Sequence, residues 1–295
     1  MSPHRLSLPS FAKVNLHLQV VGKRADGYHE LRTIFQTVDL ADEVTLELGG
    51  LGVRLTVEGA VLDAGPGNLA HRAATGFLER WAPGTGVAIR LEKRIPMGAG
   101  LGGGSSNAAA VLLGLQAALG APAPPEGLWL LARELGADVP YFLVGGTALG
   151  VGRGDEILPL PELPERELVL VLPPVHVATA LVFGELGELT PKPFDPRIMA
   201  LVQRGKLGWE AFAQSANDLE AVVFRRWPEL AALHADLRST GAAARLSGSG
   251  AALWMMGTKG DPPPDGDELP GRRLPVGTRI QRVRTVPRAA LHRMS

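Results

Sequence analysis

Apolar and polar residues alternate along the amino-terminal part of the chain with the period of two that is typical of a β-strand. The alternation extends over residues 6–21 and predicts one long strand or a pair of strands. Polar side chains of this segment share one face, because side chains two residues apart point to the same side of a strand. They are Lys13, Asn15, His17 and Gln19. The segment is therefore predicted to have one apolar face and one face that carries a row of polar groups.

Shorter patterns predict further strands and helices along the rest of the chain. Strands are predicted over residues 44–48, 53–57, 87–93, 148–151, 167–172 and 278–283, with a strand and turn over 245–256. Helices are predicted over residues 68–81, 126–135, 197–204, 209–226 and 228–239, with one more after the glycine-rich segment that ends at residue 104. Residues 258–273 are predicted to form an exposed loop. Because the elements do not repeat as βαβ units, the pattern predicts an α+β fold.

Length and composition limit the classes of protein to which the chain can belong. At 295 residues it is long enough for two domains, and the proline-rich residues 158–164 divide it into 1–160 and 161–295. The formal net charge is +0 and no basic stripe is present, so nucleic acid is not expected as a partner. The chain has no cysteine, which excludes disulfides and thiolate metal sites. It shows no signal-peptide pattern and no apolar stretch of about 18 residues, so we expect a cytoplasmic protein without membrane contact.

The most informative segment is a glycine-rich run at residues 96–107, between a predicted strand and an alanine-leucine helix. It contains five glycines and two serines, and Ser105, Ser106 and Asn107 are candidate caps of the helix. Backbone N–H groups at a helix N-terminus bind anions, because they lack intrahelical partners and lie at the positive end of the helix dipole. A flexible linker is the alternative, but linkers are usually bounded by other loop residues. The segment therefore predicts a site for a nucleotide phosphate, with ATP as the expected ligand.

Three common glycine motifs compete for this segment. The Walker A motif requires a lysine after its last glycine, where this chain has Ser105. Gly98, Gly100 and Gly103 match the dinucleotide fingerprint, but a proline-rich turn after Leu119 replaces the second strand that this fold requires. Protein kinases carry H-R-D and D-F-G motifs that the chain lacks. None of the three interpretations is retained.

The pattern P-x-x-x-G-L-G-G-G-S-S-x-A-A resembles the phosphate loop of the GHMP kinase superfamily of small-metabolite kinases. Further segments that resemble this superfamily follow in order at residues 12–16, 22–31, 136–140, 215–220 and 245–251. They are similar to one branch, which phosphorylates the 2-hydroxyl of a cytidyl diphosphate sugar alcohol in non-mevalonate isoprenoid and terpenoid biosynthesis. The resemblance spans residues 9–255. It implies an ATP-binding domain at 1–160, an α+β domain at 161–295, an active site in the cleft between them, and ATP and Mg²⁺ as cofactors.

Two residues are the candidates for catalysis. Asp138, in the segment G-A-D-V-P, is ionised at neutral pH and can accept the proton of the alcohol, as a general base or as an orienting anion. A role as helix cap is the alternative for this residue. Lys13 stands in an otherwise apolar strand and can pair with Asp138 or stabilise the transferred phosphoryl group. A surface lysine is the alternative for Lys13.

The resemblance also implies binding residues. For ATP these are Pro96, Met97, Gly98, Ala99, Gly100, Leu101, Gly102, Gly103, Gly104, Ser105, Ser106, Asn68 and Lys93. For the acceptor they are Asn15, Tyr28, His29, Asp138, Thr179, Phe35 and Phe183, with an aromatic ring on the cytosine and a hydrogen bond from His29. Metal ligands are undetermined, and Ser106 is the candidate for Mg²⁺. A core position is the alternative for the two phenylalanines, and a helix cap for Asn68.

Three further features complete the expectations. Gly248-Ser249-Gly250 is predicted to be a second glycine turn that closes the cleft. Ala99 stands where the branch often has glycine and requires an ordinary φ. A homoserine or mevalonate type of kinase and a non-catalytic nucleotide-binding regulator remain as alternatives. Tyr28 and His29 argue against the former, because those acceptors have no nucleobase, and Lys13 with Asp138 argues against the latter. A monomer and a homodimer both stay open.

Overall fold

The computed structural model of this chain describes residues 5–187, 193–257 and 274–291. The strands of these residues are β1 (Arg5–Lys23), β2 (His29–Leu48), β3 (Val53–Glu58), β4 (Val87–Glu92), β5 (Thr147–Gly152), β6 (Glu156–Pro159), β7 (Glu167–Leu172), β8 (Ala243–Leu246), β9 (Leu253–Met256) and β10 (Arg279–Arg284). The helices are α1 (Leu69–Trp81), α2 (Gly103–Ala118), α3 (Pro125–Leu135), α4 (Val139–Val144), α5 (Thr179–Gly184), α6 (Pro196–Gln203), α7 (Glu220–Arg226), α8 (Pro228–Ser239) and α9 (Arg288–Leu291), with a 3-10 helix at Trp209–Phe212.

The strands form two sheets. The six-stranded sheet has the order β3-β4-β2-β5-β6, and β1 pairs with β2 outside this path. Only β3 and β4 are parallel among its described pairs. The four-stranded sheet has the order β10-β7-β9-β8 and is antiparallel. Mainly antiparallel sheets with helices packed on them confirm the predicted α+β fold.

The two sheets share a hydrophobic core. Helices α1, α2 and α3 cover one face of the six-stranded sheet, where Phe77 and Leu112 are fully buried. The other face meets the four-stranded sheet in a cluster that includes Leu16, Ile34 and Trp254. The division at residue 160 stays a prediction, and the parts on either side of it are joined by this buried cluster.

Strand β1 confirms the predicted alternation, as one strand of 19 residues. Strand β2 extends over 20 residues, whereas the sequence pattern predicted only its end at 44–48. The physical reason is that apolar side chains lie on both faces of β2, since Phe35 belongs to the cluster under the helices and Ile34 to the cluster between the sheets. A strand with apolar side chains on both faces lacks the apolar–polar alternation on which the prediction depends.

The predicted helix at 209–226 is wrong. Its place is taken by the 3-10 helix at Trp209–Phe212 and by α7, with residues 215–219 between them in extended contact with β1. The N–H of Leu18 donates to the carbonyl of Ala216, and the N–H of Asp218 donates to the carbonyl of Leu18. Backbone groups that bond a neighbouring strand cannot also continue a helix.

Other predictions meet the structure as follows. The strand and turn at 245–256 are present as β8 and β9, while the short helices α4 and α5 were not predicted. The predicted loop at 258–273 lies outside the described residues. Within the described ranges, no helix has the length and apolar character needed to cross a membrane.

Candidate active site

The glycine-rich segment forms a loop that enters the N-terminus of α2. Gly102 precedes the helix with φ 72° and ψ 16°, and no side chain caps the first turn. The predicted caps Ser105, Ser106 and Asn107 lie inside the helix instead, because the N-cap is the left-handed Gly102, three residues before Ser105. The uncapped first turn leaves backbone N–H groups without intrahelical partners, which is the arrangement that binds an anion.

Gly100 fixes this loop against the carboxyl-terminal part of the chain. Its carbonyl accepts hydrogen bonds from Lys13 Nζ at 2.9 Å and from Ser247 Oγ at 3.0 Å. Its φ is +76°, and a Cβ here would lie 2.0 Å from the Ser247 carbonyl oxygen, so only glycine fits. Next to it, the Ala99 carbonyl accepts the N–H of Ala252. The predicted second glycine turn therefore contacts the phosphate loop directly.

The neighbouring Ala99 keeps an ordinary φ, as its methyl group requires. Among the residues that the structure describes, Ala121 is the non-glycine residue with a positive φ. The departure from the branch pattern at position 99 is thus compatible with the loop conformation.

Lys13 and Asp138 lie together beside the loop. Lys13 Nζ is 3.5 Å from Asp138 Oδ2 and donates to Asn15 Oδ1 at 2.7 Å. The Lys13 side chain is 4% exposed and the Asp138 side chain is 34% exposed, so a buried ammonium holds a carboxylate that reaches the molecular surface. Asp138 stands at the N-cap position of α4 but makes no side-chain cap hydrogen bond. Neither the helix-cap alternative for Asp138 nor the surface alternative for Lys13 describes the structure.

The candidate acceptor residues form a second group. The rings of His29 and Phe183 are 5.3 Å apart with an interplanar angle of 34°. Thr179 Oγ1 lies 2.7 Å from Ser249 Oγ, in the glycine turn whose Gly248 is close to Lys13 Nζ. This turn thus connects α5 with the pair at Lys13.

Two electrostatic features distinguish the surroundings of His29 and Tyr28. Partial burial, and then the charge of Lys23, lower the pKa of His29 below its usual value of 6.5, which favours the neutral imidazole. Tyr28 is 55% exposed, and the guanidinium of Arg153 lies 4.9 Å from its ring centroid. No local sequence pattern marks Arg153 as a site residue, since its contact depends on the pairing of β5 with β2.

Some predicted binding residues have structural partners instead. Phe35 is 2% exposed, packs on Tyr141 at 4.6 Å and lies in the core beneath Lys13, so it has no surface for the acceptor. Asn68 caps α1 by accepting the N–H of Ala70 at 2.9 Å. The core and cap alternatives therefore describe Phe35 and Asn68.

Lys93 and Ser106 also have buried structural partners. Lys93 Nζ pairs with the buried Asp42, and Ser106 Oγ accepts a hydrogen bond from Ser10 Oγ at 2.8 Å. Ser106 is 3% exposed. Its predicted contact with Mg²⁺ is therefore in conflict with the position of its hydroxyl, and the ammonium of Lys93 is engaged by Asp42 and Asn107.

A cavity of about 520 Å³ opens beside the first half of the loop. It is lined on one side by residues 93–97 and on the other by Pro174, His176 and Arg279. A Cβ on Gly98 would lie 2.5 Å from His176 Nδ1, so this imidazole packs against the loop backbone. The cavity adjoins the phosphate loop and has room for the nucleoside part of a nucleotide.

No group of three or more histidine, aspartate or glutamate residues in the described part of the chain could hold a metal ion. Mg²⁺ in phosphoryl-transfer sites usually binds one or two carboxylates together with water and substrate phosphates. Beside this loop, phosphate oxygens and water would therefore supply most of the ligands of a Mg²⁺ ion.

Comparisons with known proteins agree with this geometry. Residues 68–146 match the GHMP kinases N terminal domain. The 4-diphosphocytidyl-2-C-methyl-D-erythritol kinase of Solibacter usitatus is 46% identical over 84% of this chain and 80% of its own length. The enzyme of the same name from Moorella thermoacetica is 43% identical over 87% of this chain and 91% of its own length.

Two solved structures share this fold. The crystal structure of a 4-(cytidine 5'-diphospho)-2C-methyl-D-erythritol kinase superposes on 95% of this chain and 99% of its own, with a TM-score of 0.75 and 38% identity. A homoserine kinase from Cytophaga hutchinsonii has a TM-score of 0.70 at 20% identity, covering 96% of this chain and 95% of its own. The second likeness is one of fold alone.

Proposed function

This chain belongs to the GHMP kinase family, and we propose that it phosphorylates the 2-hydroxyl of 4-diphosphocytidyl-2-C-methyl-D-erythritol with ATP as the phosphoryl donor. The observation that carries the proposal is the ion pair of Lys13 and Asp138, which lies beside a phosphate loop in a chain whose relatives are named for this reaction. Its product serves isoprenoid precursor synthesis by the non-mevalonate route.

The phosphate loop is proposed to bind the triphosphate. Backbone N–H groups of the first turn of α2 donate to its oxygens, and the nucleoside occupies the adjoining cavity of about 520 Å³. Mg²⁺, when bound, would neutralise charge on the phosphate oxygens, and these oxygens together with water would hold it. The loop carries no lysine of its own, and Lys13 from β1 supplies the nearby positive charge.

Asp138 is proposed to receive the proton of the acceptor hydroxyl. The acceptor oxygen forms a bond to the γ-phosphorus, the bond between that phosphorus and the bridging oxygen breaks, and ADP leaves. Lys13 holds the carboxylate in place, because its ammonium is fixed by Asn15 Oδ1 and by the carbonyl of Gly100. Fixed donors of this kind stabilise charge that develops in the transition state without reorganising.

The group formed by Tyr28, His29 and Phe183 is proposed to select the cytosine. Phe183 and Tyr28 offer ring surfaces, and a neutral His29 offers a donor and an acceptor for the polar edge of the base. Homoserine and mevalonate have no group that would use these contacts. A neutral imidazole beside the Phe183 ring, next in the chain to the exposed Tyr28, supports a nucleobase-bearing acceptor.

An initial-rate assay with coupled detection of ADP tests the proposal. The purified chain receives MgATP and, separately, 4-diphosphocytidyl-2-C-methyl-D-erythritol, homoserine or mevalonate. ADP release with the cytidyl acceptor, and with neither homoserine nor mevalonate, supports the proposal. Turnover of homoserine or mevalonate overturns the acceptor assignment, and ATP binding without turnover of any of the three favours a regulator.

A further inference from the structure

A buried carboxylate, Asp42 of β2, lies beneath the phosphate loop and has no part in the proposed chemistry. Its Oδ1 accepts hydrogen bonds from the backbone N–H groups of Arg94 at 2.7 Å and of Ile95 at 2.8 Å. These two residues directly precede Pro96, where the loop begins. One oxygen of Asp42 therefore holds the first end of the loop.

The second oxygen of Asp42 holds the other end. Asp42 Oδ2 accepts Asn107 Nδ2 at 2.8 Å and pairs with Lys93 Nζ, which also donates to Asn107 Oδ1 at 3.0 Å. Asn107 lies in the first turns of α2, directly after the loop. The side chains of Lys93 and Asp42 are 4% and 0% exposed, so these contacts are shielded from water.

The network continues to the strand that carries the catalytic lysine. Asn107 Nδ2 donates to Ser10 Oγ at 2.8 Å, and Ser10 Oγ donates to Ser106 Oγ at 2.8 Å. Ser10 and Lys13 both belong to β1. The start of the loop, its end and β1 are thus joined through buried polar groups that share one carboxylate.

We propose that Asp42 is a positioning residue for the donor nucleotide, which sets the spacing between the two ends of the loop at residues 96–106. The inference rests on the proposed function only in taking this loop as the ATP site. A loop that binds phosphate through backbone N–H groups depends on the position of each group, because a hydrogen bond weakens steeply as its angle departs from linearity. Its side chains contribute little to hold it, since five of the residues at 98–104 are glycines.

A purely structural ion pair would behave differently. Breaking it strands a buried charge and destabilises the fold, which lowers the folded fraction and the apparent kcat. Loss of a purely structural ion pair would leave the affinity of the folded molecules for ATP unchanged. The dissociation constant for ATP, compared with that for the acceptor, therefore separates positioning from stability.

The experiment measures ATP and acceptor binding by titration calorimetry with wild type, Asp42→Asn and Asn107→Ala. The substitution Asn107→Ala removes the hydrogen bonds of α2 with Asp42, Lys93 and Ser10 but keeps the ion pair, so it serves where Asp42→Asn does not fold. The matched control is Asp155→Asn, a carboxylate that is 1% exposed and pairs with Arg133 and Arg153 away from the loop. Thermal unfolding of each variant reports the loss of stability.

We expect ATP affinity to fall at least about tenfold in Asp42→Asn and at least about threefold in Asn107→Ala, with acceptor affinity within twofold of wild type. Asp155→Asn is expected to lose stability but to bind ATP within twofold of wild type. ATP affinity within twofold of wild type in Asp42→Asn, or in Asn107→Ala where the first variant does not fold, would overturn the inference. Failure of the wild type to bind ATP would instead overturn the proposed function, and the inference with it.

Discussion

Replacing Asp138 with asparagine keeps the size of the side chain and removes the negative charge that lies 3.5 Å from Lys13 Nζ. If Asp138 receives the proton of the acceptor hydroxyl, the side-chain amide of the asparagine cannot take over this role. General acid–base groups contribute about 10²- to 10⁴-fold to rate. Each tenfold loss corresponds to about 1.36 kcal/mol of activation free energy. We therefore expect kcat to fall at least about a hundredfold, or about 2.7 kcal/mol.

The same substitution is expected to change stability little. Asp138 is one third exposed and makes no helix-cap hydrogen bond, and Lys13 keeps its bonds to Asn15 and Gly100. An ion pair with a partly exposed partner contributes up to about 1 kcal/mol. The melting temperature of the variant is thus expected to stay within about 4 °C of wild type, given about 2–4 °C per kcal/mol for a protein of this size class.

The assay is single-turnover and steady-state kinetics with saturating ATP and acceptor, with ATP affinity measured by calorimetry as the control. Lys13→Met is expected to lose rate as well, and the double variant to lose less than the sum of the two effects, because residues that act as a unit are not additive. A kcat for Asp138→Asn within about fivefold of wild type, with normal ATP binding, would refute the proton-acceptor role.

Three further predictions concern the loop and the acceptor site. Gly100→Ala puts a Cβ 2.0 Å from the Ser247 carbonyl oxygen at a φ of +76°, where the left-handed conformation alone costs about 1–2 kcal/mol. Calorimetry should therefore show a lower melting temperature for this variant. The control Gly184→Ala, whose Cβ would have no atom within 4 Å, should melt like wild type. Phe183→Ala should raise the KM of the acceptor about three- to tenfold, as expected for loss of an aromatic contact, and an equal rise in the KM of ATP would contradict its placement. Burial lowers the pKa of His29 below 6.5, so the neutral imidazole predominates at pH 7, and binding that uses it is lost as pH falls through that lowered pKa. The KM of the acceptor should therefore rise on acidification in wild type but not in His29→Gln. A KM that rises toward alkaline pH would contradict this prediction.

Local patterns predicted much of the fold because the amino-terminal strand alternates apolar and polar residues and several helices carry one apolar face. The polar face of β1 is itself buried, since Lys13 and Asn15 are each 3% exposed, but both could be placed on one side of the strand from their spacing alone. Strand β2 was mostly missed, since apolar side chains on both of its faces remove the alternation.

The site was less predictable, because its contacts join distant parts of the chain. The pairing of Lys13 with Asp138 could be proposed from residue types and the family resemblance, and the structure contains that ion pair. Lys93 was assigned to the nucleotide for the same reasons, yet Asp42, 51 residues earlier, holds its ammonium in the interior. No spacing rule connects β2 with the two ends of the loop, so the buried network is visible only in three dimensions.

The central claim is the identity of the acceptor, and product analysis tests it most directly. Purified chain, MgATP and 4-diphosphocytidyl-2-C-methyl-D-erythritol are incubated, and the product is examined by mass spectrometry and ³¹P NMR. We expect ADP together with a new phosphomonoester on the 2-hydroxyl of the acceptor, and no phosphorylated product when homoserine or mevalonate replaces this acceptor. An unmodified cytidyl acceptor under conditions in which the chain binds ATP, or a phosphorylated homoserine or mevalonate, would contradict the proposed identity of the acceptor.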